Sequence, residues 1–195
     1  MLRRLYDWTM SLAATRHAEK GLFGVSFIES SIFPIPPDVI LMPMVLARPD
    51  KWIRIALICT LGSVLGAFLG YAIGMFLYES IGAPILAFYG KEDSFASITD
   101  WYNNSAWGGW AIFFAAITPF PYKVLTIFSG TAGFNIALFA IISVVGRGLR
   151  FFLVCGLLHW YGEPIRLFIE KYLGLLSTLF VILLFGGFYA VKYVL

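Results

Sequence analysis

The chain has 195 residues, of which 60% are hydrophobic and 13% are charged, and its mean hydropathy is +0.84. Soluble domains contain about 45–50% apolar and about 25% charged residues, so this composition excludes an ordinary soluble domain and predicts an integral membrane protein. The length suits a single domain. The net charge of +3 suits a protein that faces an anionic membrane surface, and it gives no indication of nucleic-acid binding.

The first 20 residues predict a helix that lies in the membrane interface. Apolar side chains recur on one helical face at Leu2, Leu5, Trp8 and Leu12. The start is basic like a signal peptide, but Asp7 interrupts its apolar run and no small-residue cleavage site follows. We therefore expect an amphipathic interfacial helix over residues 1–20.

The next apolar region, residues 21–47, contains two acids, Glu29 and Asp38, and is broken by Pro34, Pro36, Pro37 and Pro43. A Pro-x-Pro-Pro run removes successive backbone donors and moves each preceding residue out of the α region. One interpretation is a polar surface loop, but that loop would leave a run of large apolar side chains in water. Non-helical backbone survives at membrane depth only where protein buries it or water reaches it. We expect a hairpin that enters the bilayer, turns at the prolines and leaves on the same side.

Residues 52–78 are continuously apolar and long enough to span, because about 20 helical residues cross about 30 Å of hydrocarbon. Glycine recurs at every fourth position of this region, at Gly62, Gly66, Gly70 and Gly74. Small residues at this spacing let helix backbones approach closely in lipid. We predict a packing surface, with a sliding surface for a moving hairpin as the alternative.

The second half of the chain repeats the order of a broken and a continuous region. Residues 107–134 are broken by Pro119 and Pro121, and residues 136–160 are continuous but contain two arginines. The segment from Pro34 to Asp38 aligns without gaps onto the segment from Pro119 to Lys123, matching both prolines and an ionisable residue. Paired interrupted segments are typical of inverted-repeat transporters, whose binding site lies between them. A last apolar stretch, residues 173–191, predicts a further span.

Basic residues flank the first broken region on both sides. They precede it at Arg3, Arg4, Arg16 and Lys20 and follow it at Arg48, Lys51 and Arg54. If the region crossed the bilayer, these clusters would lie on opposite sides, against the positive-inside rule. A re-entrant region keeps both in the cytoplasm and leaves the acidic connection, residues 79–106, outside. We therefore expect a multi-pass protein of the bacterial inner membrane with a cytoplasmic N-terminus.

Five ionisable residues fall at the predicted membrane depth: Glu29, Asp38, Lys123, Arg147 and Arg150. Each costs about 2.5–3.5 kcal/mol at the bilayer centre, and such residues usually face a cavity or one another. One interpretation is a structural network that locks the two halves together. However, two acids and three bases leave one positive charge uncompensated, and an anionic ligand would complete the set. Arginine favours phosphate because its planar fork binds two oxygens, and the two acids would accept protons or balance the cations.

The sequence carries no catalytic constellation. It has no paired histidine motif, Gly-x-Ser-x-Gly elbow, Walker loop or metal-ligand cluster. Cys59 and Cys155 lack metal-ligand and redox spacing and are predicted to be core residues. We therefore predict no enzyme activity, no metal and no cofactor.

Taken together, these motifs resemble the DedA family, the bacterial branch of the VTT-domain (SNARE-associated Golgi protein) superfamily, and within it the YqaA-like proteins. The resemblance covers about residues 21–160 and rests on Glu29 with the Pro37-Asp38 turn, the Pro119-x-Pro121-x-Lys123 segment with residues 129–133, and residues 146–151 around both arginines. It implies two re-entrant hairpins that meet at the bilayer midplane. It also implies translocation of lipid carriers such as undecaprenyl phosphate, or of phospholipids, linked in some members to the proton-motive force.

One departure from the family pattern concerns the second hairpin. Other DedA proteins carry an Arg-Phe-x-Pro-x-x-Arg motif there. Here the first arginine of that motif is absent and Lys123 stands near the second. Lysine is a point charge and not a bidentate fork, so Arg147 and Arg150 would have to compensate.

The sequence thus predicts an all-α polytopic membrane protein with two opposed re-entrant hairpins, about three transmembrane helices and an inverted internal repeat. Its membrane domain covers residues 21–160, and residues 161–195 form a C-terminal connection and helix. The expected partners are membrane lipids with anionic or phosphate headgroups, and a homo-oligomer is left open. The expected function is a lipid translocase, flippase or scramblase. The alternatives are an ion-coupled transporter of a small soluble solute and a non-transporting assembly protein.

Overall fold

A computed structural model describes residues 17–32, 36–118, 121–162 and residue 164. Within these ranges the regular structure is entirely helical. The helices are α1 Ala18–Ser31, α2 Asp38–Ala47, α3 Trp52–Leu77, α4 Ala83–Tyr89, α5 Glu92–Asn104, α6 Ala106–Ile117, α7 Tyr122–Thr131 and α8 Ile136–Tyr161. A 3₁₀ turn, Pro49–Lys51, precedes α3, and a π-helical turn, Tyr78–Gly82, follows it. Residues 1–16 of the predicted interfacial arm and the predicted last span, residues 173–191, lie outside the described residues.

Two helical stretches are long and apolar enough to cross a membrane: Pro49–Tyr89, which contains α3, and Ile136–Tyr161, which is α8. A helix of 26 residues rises about 39 Å, more than the hydrocarbon core of about 30 Å. Helices α3 and α8 coincide with the two continuous apolar regions that the sequence predicts to span. The all-helical fold of the described residues agrees with a helical membrane protein.

Helix α1 runs parallel to the first half of α3. The Ser26 hydroxyl donates to the carbonyl of Cys59 at 2.7 Å, and the hydroxyls of Ser30 and Ser63 lie 2.6 Å apart. Both contacts keep the same offset along the two helices. Because α1 has only 14 residues, it rises about 21 Å and ends near the middle of α3.

Helix α2 runs back in the opposite direction, alongside the last turns of α8. Its first residue, Asp38, meets Arg150, and the carbonyl of Pro49 beyond its end lies 2.8 Å from Nδ1 of His159. The His159 ring also stacks on Trp52, the first residue of α3. The beginning of α1 and the end of α2 therefore lie at the same end of α3.

Helices α6 and α7 form a second pair, which approaches from the other end of α3. Gly109 near the start of α6 lies beside Ile142 of α8, and Ala116 near its end packs against Gly146, so α6 runs parallel to α8. After the break, the Tyr122 hydroxyl at the start of α7 donates to Ser143. The Thr131 hydroxyl at the end of α7 donates to the carbonyl of Gly74 at 3.1 Å. The two helical pairs thus begin at opposite ends of α3, and their breaks lie near its middle.

The glycine stripe of α3 is the surface against which both pairs pack. A Cβ on Gly62 or Gly66 would overlap the backbone of α1. A Cβ on Gly70 would overlap the side chain of Thr126, and one on Gly74 would overlap the backbone of α7. Close backbone approach without side chains at the contact is the arrangement that small residues permit in membrane helices.

Two apolar clusters lie toward the two ends of α3. The first includes Leu22, Leu41, Ile55 and Phe151, together with the free buried thiols of Cys59 and Cys155. The second includes Tyr71, Tyr102, Ile112, Tyr122, Phe134 and Phe139. Burial raises the pKa of Tyr102, on the polar helix α5, to about 12, so its hydroxyl stays protonated beside Ser129 at 2.9 Å.

Candidate functional site

Buried polar side chains form a layer between the two apolar clusters. Its members come from helices on all sides, and they include Ser30, Asp38, Ser63, Thr126, Ser143 and Arg147. A buried polar group is costly unless it is hydrogen-bonded, and a buried charge is costlier unless it is paired. This layer therefore depends on its pairings, which join α1 and α2 to α8.

The first ion pair joins the last turn of α1 to the interior of α8. Arg147 Nη2 lies 2.7 Å from Oε2 of Glu29. The side chain of Arg147 is only 1% exposed, and that of Glu29 is 16% exposed. Arg147 Nε donates to the Ser63 hydroxyl on α3. The Ser30 hydroxyl lies 3.0 Å from Oε2 of Glu29 and 2.6 Å from the Ser63 hydroxyl, so four polar side chains form one connected network.

Two aromatic rings enclose the guanidinium of Arg147. It lies 4.7 Å from the ring centre of Phe151 on α8 and 5.1 Å from that of Tyr122 on α7. Cations over aromatic faces are attracted by the ring quadrupole, most strongly where water is excluded. The Tyr122 hydroxyl is held by Ser143, which fixes the ring in this position. Arg147 therefore contacts side chains from α1, α3, α7 and its own helix.

The second ion pair joins α2 to α8 at the point where both helical breaks meet. Arg150 Nη2 lies 2.8 Å from Oδ2 of Asp38, and Arg150 Nη1 donates to the carbonyl of Thr118 at 2.8 Å. Asp38 is the first residue of α2, and Thr118 directly follows α6. The other carboxylate oxygen of Asp38, Oδ1, is buried and has no hydrogen-bond partner among the described residues. This pair is therefore less fully satisfied than the first.

Lys123 occupies the first turn of α7 and is half-buried. Its ammonium forms no ion pair or hydrogen bond with the residues that the structure describes. Its backbone is close to the first network, because the Thr126 hydroxyl contacts both the carbonyl of Lys123 at 2.9 Å and that of Ser30 at 3.3 Å. Lys123 is thus the predicted site cation that neither carboxylate neutralises.

Of the five predicted site residues, four are brought together as two ion pairs, Glu29 with Arg147 and Asp38 with Arg150. Arg147 and Arg150 also share one ring, because the Arg150 guanidinium lies 5.8 Å from the centre of Phe151. Lys123 lies one residue from Tyr122, which touches Arg147. The excess of one positive charge that the sequence indicates therefore belongs to α7.

The predicted turn prolines lie at the two breaks. Pro36 and Pro37 directly precede α2, and Pro121 directly precedes α7. All three lie outside the helices that they precede. Pro34 and Pro119 lie outside the described residues. Pro43 stands inside α2. Since proline lacks a backbone donor, the prolines before α2 and α7 stand where a preceding helix cannot continue and a new helix starts readily.

Sequence reasoning missed the neutral members of the layer: Ser30, Ser63, Thr118, Tyr122 and Phe151. Ser30 directly follows Glu29, and Ser63 directly follows the first stripe glycine, so both are hydroxyls beside a feature already singled out. Their position next to these features was the sequence signal that could have identified them. Within the described residues, no group of three His, Cys, Asp or Glu side chains is placed to hold a metal ion.

These features define an α-helical membrane protein with a charged layer inside it. The sequence model of the VTT domain matches residues 35–159, and the chain belongs to this family, in which the DedA proteins are included. Assignment to the YqaA-like branch stays a prediction.

Two similar proteins come from bacteria. An uncharacterised protein of Haemophilus influenzae is 34% identical over 188 residues, covering 96% of each chain. An uncharacterised protein of Histophilus somni is 33% identical over 159 residues, covering 82% of each chain. No solved structure matches. Membership of the family agrees with a membrane transporter or flippase, and the relatives' names add nothing about the substrate.

Proposed function

We propose that this protein is a translocase for a phosphate-bearing lipid, and that the lipid headgroup crosses the inner membrane through the charged layer. The observation that carries the proposal is the pairing itself: two ion pairs and an additional lysine gathered where the two helical breaks meet. Charges at this depth are expensive, and they usually mark a substrate or ion pathway. We propose no covalent chemistry and no cofactor.

The placement in the membrane follows from helix length. Helix α2 has 10 residues and rises about 15 Å, and α6 and α7 are of similar length, so none of the three can cross about 30 Å alone. Each pair begins and ends at one end of α3, which supports a re-entrant hairpin in each half of the domain. The order of short helix, break, short helix and long helix occurs twice with opposite directions, which supports an inverted repeat.

Charge assigns the roles within the layer. Lys123, Arg147 and Arg150 supply positive charge to the phosphate, and Glu29 and Asp38 balance the arginines when no headgroup is bound or accept protons when one is. An anion that enters finds Lys123 without a partner in the described part of the chain. It must compete with a carboxylate for either arginine.

The orientation follows the basic residues. Lys20 and Arg54 lie at the end of α3 where the first pair begins, and the Glu19–Arg54 ion pair at 2.7 Å marks the same end. By the positive-inside rule, this end and the N-terminus face the cytoplasm. The acidic helix α5 then lies on the outer side.

A second candidate is an assembly protein in which the ion pairs are inert. It is favoured by one observation, that both arginines are already paired with carboxylates. Replacing a buried ion pair by packed apolar residues is often neutral or stabilising, so this candidate predicts that function survives such replacement at both pairs. A transporter of a small soluble solute predicts uptake that requires Glu29 and Asp38 without lipid movement.

The test is headgroup movement in proteoliposomes. Vesicles containing phosphatidic acid, phosphatidylglycerol or a polyprenyl phosphate are reconstituted with protein, and outer-leaflet headgroups are counted over time with an impermeant reagent. We expect protein-dependent movement of at least one of these lipids. Lys123→Ala, Arg147→Ala and Arg150→Ala should each slow it.

The matched control is Lys91→Ala, because Lys91 is an exposed lysine in the connection before α5. It should keep the wild-type rate. Wild-type rates in folded variants of all three site cations would exclude the assignment.

A further inference from the structure

We infer that the two ion pairs divide the work at the site: the Asp38–Arg150 pair exchanges its partner with the anion, and the Glu29–Arg147 pair stays closed and holds the helices in place. The inference deepens the proposed function and rests on it. It makes Arg150 and Lys123 the cations that contact phosphate, and it makes Arg147 a positioning residue.

The Glu29–Arg147 pair is held by more contacts than the other pair. Ser63 and Arg147 lie inside α3 and α8, and Glu29 lies in the last turn of α1. No buried atom of this pair is without a hydrogen-bond partner among the described residues. An anion that reached Arg147 would have to separate it from Glu29, Ser63 and the two aromatic rings together. Opening this pair would therefore break several contacts at once, which favours a pair that stays closed.

Both groups that Arg150 contacts, the Asp38 carboxylate and the Thr118 carbonyl, lie at helix ends. Asp38 begins α2 directly after two prolines, and Thr118 ends the helical run before the second break. A helix end can shift without breaking the hydrogen bonds of a helix interior, because its groups have no partner on one side. Arg150 is 11% exposed, whereas Arg147 is 1% exposed. The greater exposure of Arg150 and the position of its partners at helix ends both favour exchange at Arg150.

Asp38 is the group that the anion displaces. Its Oδ2 accepts from Arg150, while its Oδ1 is buried and accepts no hydrogen bond from the part of the chain that the structure describes. A phosphate oxygen that binds Arg150 would replace the Asp38 carboxylate, which accepts one hydrogen bond from Arg150. The guanidinium then keeps Thr118 on Nη1 and takes the phosphate on Nη2, which leaves the break between α6 and α7 attached.

Matched neutral substitutions separate the two pairs. Purified Asp38→Asn and Glu29→Gln proteins in detergent are titrated with dihexanoyl phosphatidic acid, and dihexanoylglycerol serves as the probe without phosphate. Asp38→Asn removes the competing charge, so we expect its affinity for the phosphate probe to rise at least tenfold. Glu29→Gln should raise affinity less and should lower the melting temperature more. Equal effects, or the reverse order, would overturn the division.

A second measurement uses wild-type protein and does not depend on the folding of a variant. Dicyclohexylcarbodiimide modifies protonated carboxyl groups in apolar surroundings, and mass spectrometry gives the modified fraction of each carboxyl. We expect saturating dihexanoyl phosphatidic acid to change the labelling of Asp38 at least threefold and that of Glu29 by less. An equal response of both carboxyls, or no binding of the probe, contradicts the inference.

The two proposals fail in different ways. If headgroups move in proteoliposomes and both carboxyls respond alike, the division of roles is wrong and the translocase stands. If the probe changes Asp38 alone and no lipid moves in vesicles, the anion site stands and the translocase is wrong.

Discussion

The two helical pairs share one architecture but are held in place by different forces. Both pack on the glycine stripe of α3, and both are broken at prolines. The first pair carries two acids, and each reaches an arginine of α8 across more than a hundred residues of sequence. The second pair carries Lys123, and apart from the hydrogen bond of Arg150 to the Thr118 carbonyl, its described polar contacts with the rest of the fold are made by neutral hydroxyl groups and rings.

Hydroxyl groups hold the second pair at several points. Tyr122 donates to Ser143, Tyr102 pairs with Ser129, and the Thr131 hydroxyl donates to the carbonyl of Gly74 at 3.1 Å. Neutral hydrogen bonds between membrane helices are typically worth under about 2 kcal/mol each. The first pair is thus fixed by a few strong contacts and the second by several weaker ones. We conclude that charge can change on the second pair without dismantling the fold.

The largest effect on stability is expected when the Glu29–Arg147 ion pair, which joins the first helical pair to α8, is broken. Arg147→Met leaves Glu29 beside α8 without its cation, and removing one partner of a buried pair costs about 3–5 kcal/mol. We expect a loss of this size in the free energy of unfolding, measured by titration with a denaturing detergent. Arg54→Met is the control, because it breaks the exposed Glu19–Arg54 pair and should cost only about 0.2–1 kcal/mol. Similar losses in both variants would show that the Glu29–Arg147 pair is not a strong contact.

The next effect tests the surface that the two pairs share. Gly66→Ala places a Cβ against the backbone of α1, and Gly74→Ala places one against the backbone of α7. Overpacking of this kind costs about 1–3 kcal/mol. Gly24→Ala is the control, because its Cβ would meet open space on a helix and should stabilise by about 0.5–1 kcal/mol. If the two stripe variants also gained stability, the stripe would not be a close-packed surface.

A smaller effect is expected from one hydroxyl of the second pair. Tyr122→Phe removes the donor to Ser143 but keeps the ring beside Arg147. A typical net hydrogen bond contributes about 0.5–1.5 kcal/mol, and we expect a loss in that range in the same unfolding titration. Tyr122→Leu also removes the aromatic face and should lose more. Equal losses would mean that the ring does not stabilise the guanidinium.

The sequence predicted the long helices and the helical breaks because they depend on local chemistry. Apolar runs of sufficient length defined α3 and α8, and proline chemistry defined the starts of α2 and α7. The set of charged residues was also visible, since Glu29, Asp38 and Arg147 stand out in apolar sequence.

The pairing of those charges could not be predicted. It depends on how short helices pack on α3, and an apolar helix carries little information about which face meets which neighbour. The hydroxyls of Ser30 and Ser63 were missed for the same reason. The acidic connection, residues 79–106, was expected only as an outer segment, yet it contains the whole of α4 and of α5. A short helix such as α4 and a polar helix such as α5 leave a weaker signal in the sequence than a long apolar span does.

The smallest effect on stability is expected at Lys123, and it is the most informative for function. Lys123→Met keeps the stem of the side chain and removes a charge that has no ion-pair partner within the described ranges, so unfolding should change by less than about 0.5 kcal/mol. If its positive charge attracts the headgroup, movement in proteoliposomes should still slow several-fold. Lys123→Arg keeps the charge and should retain more of the rate than Lys123→Met does. A methionine variant that is stable and moves headgroups at the wild-type rate would show that the excess charge of the second pair has no part in transport, and the difference between the two pairs would then be one of packing alone.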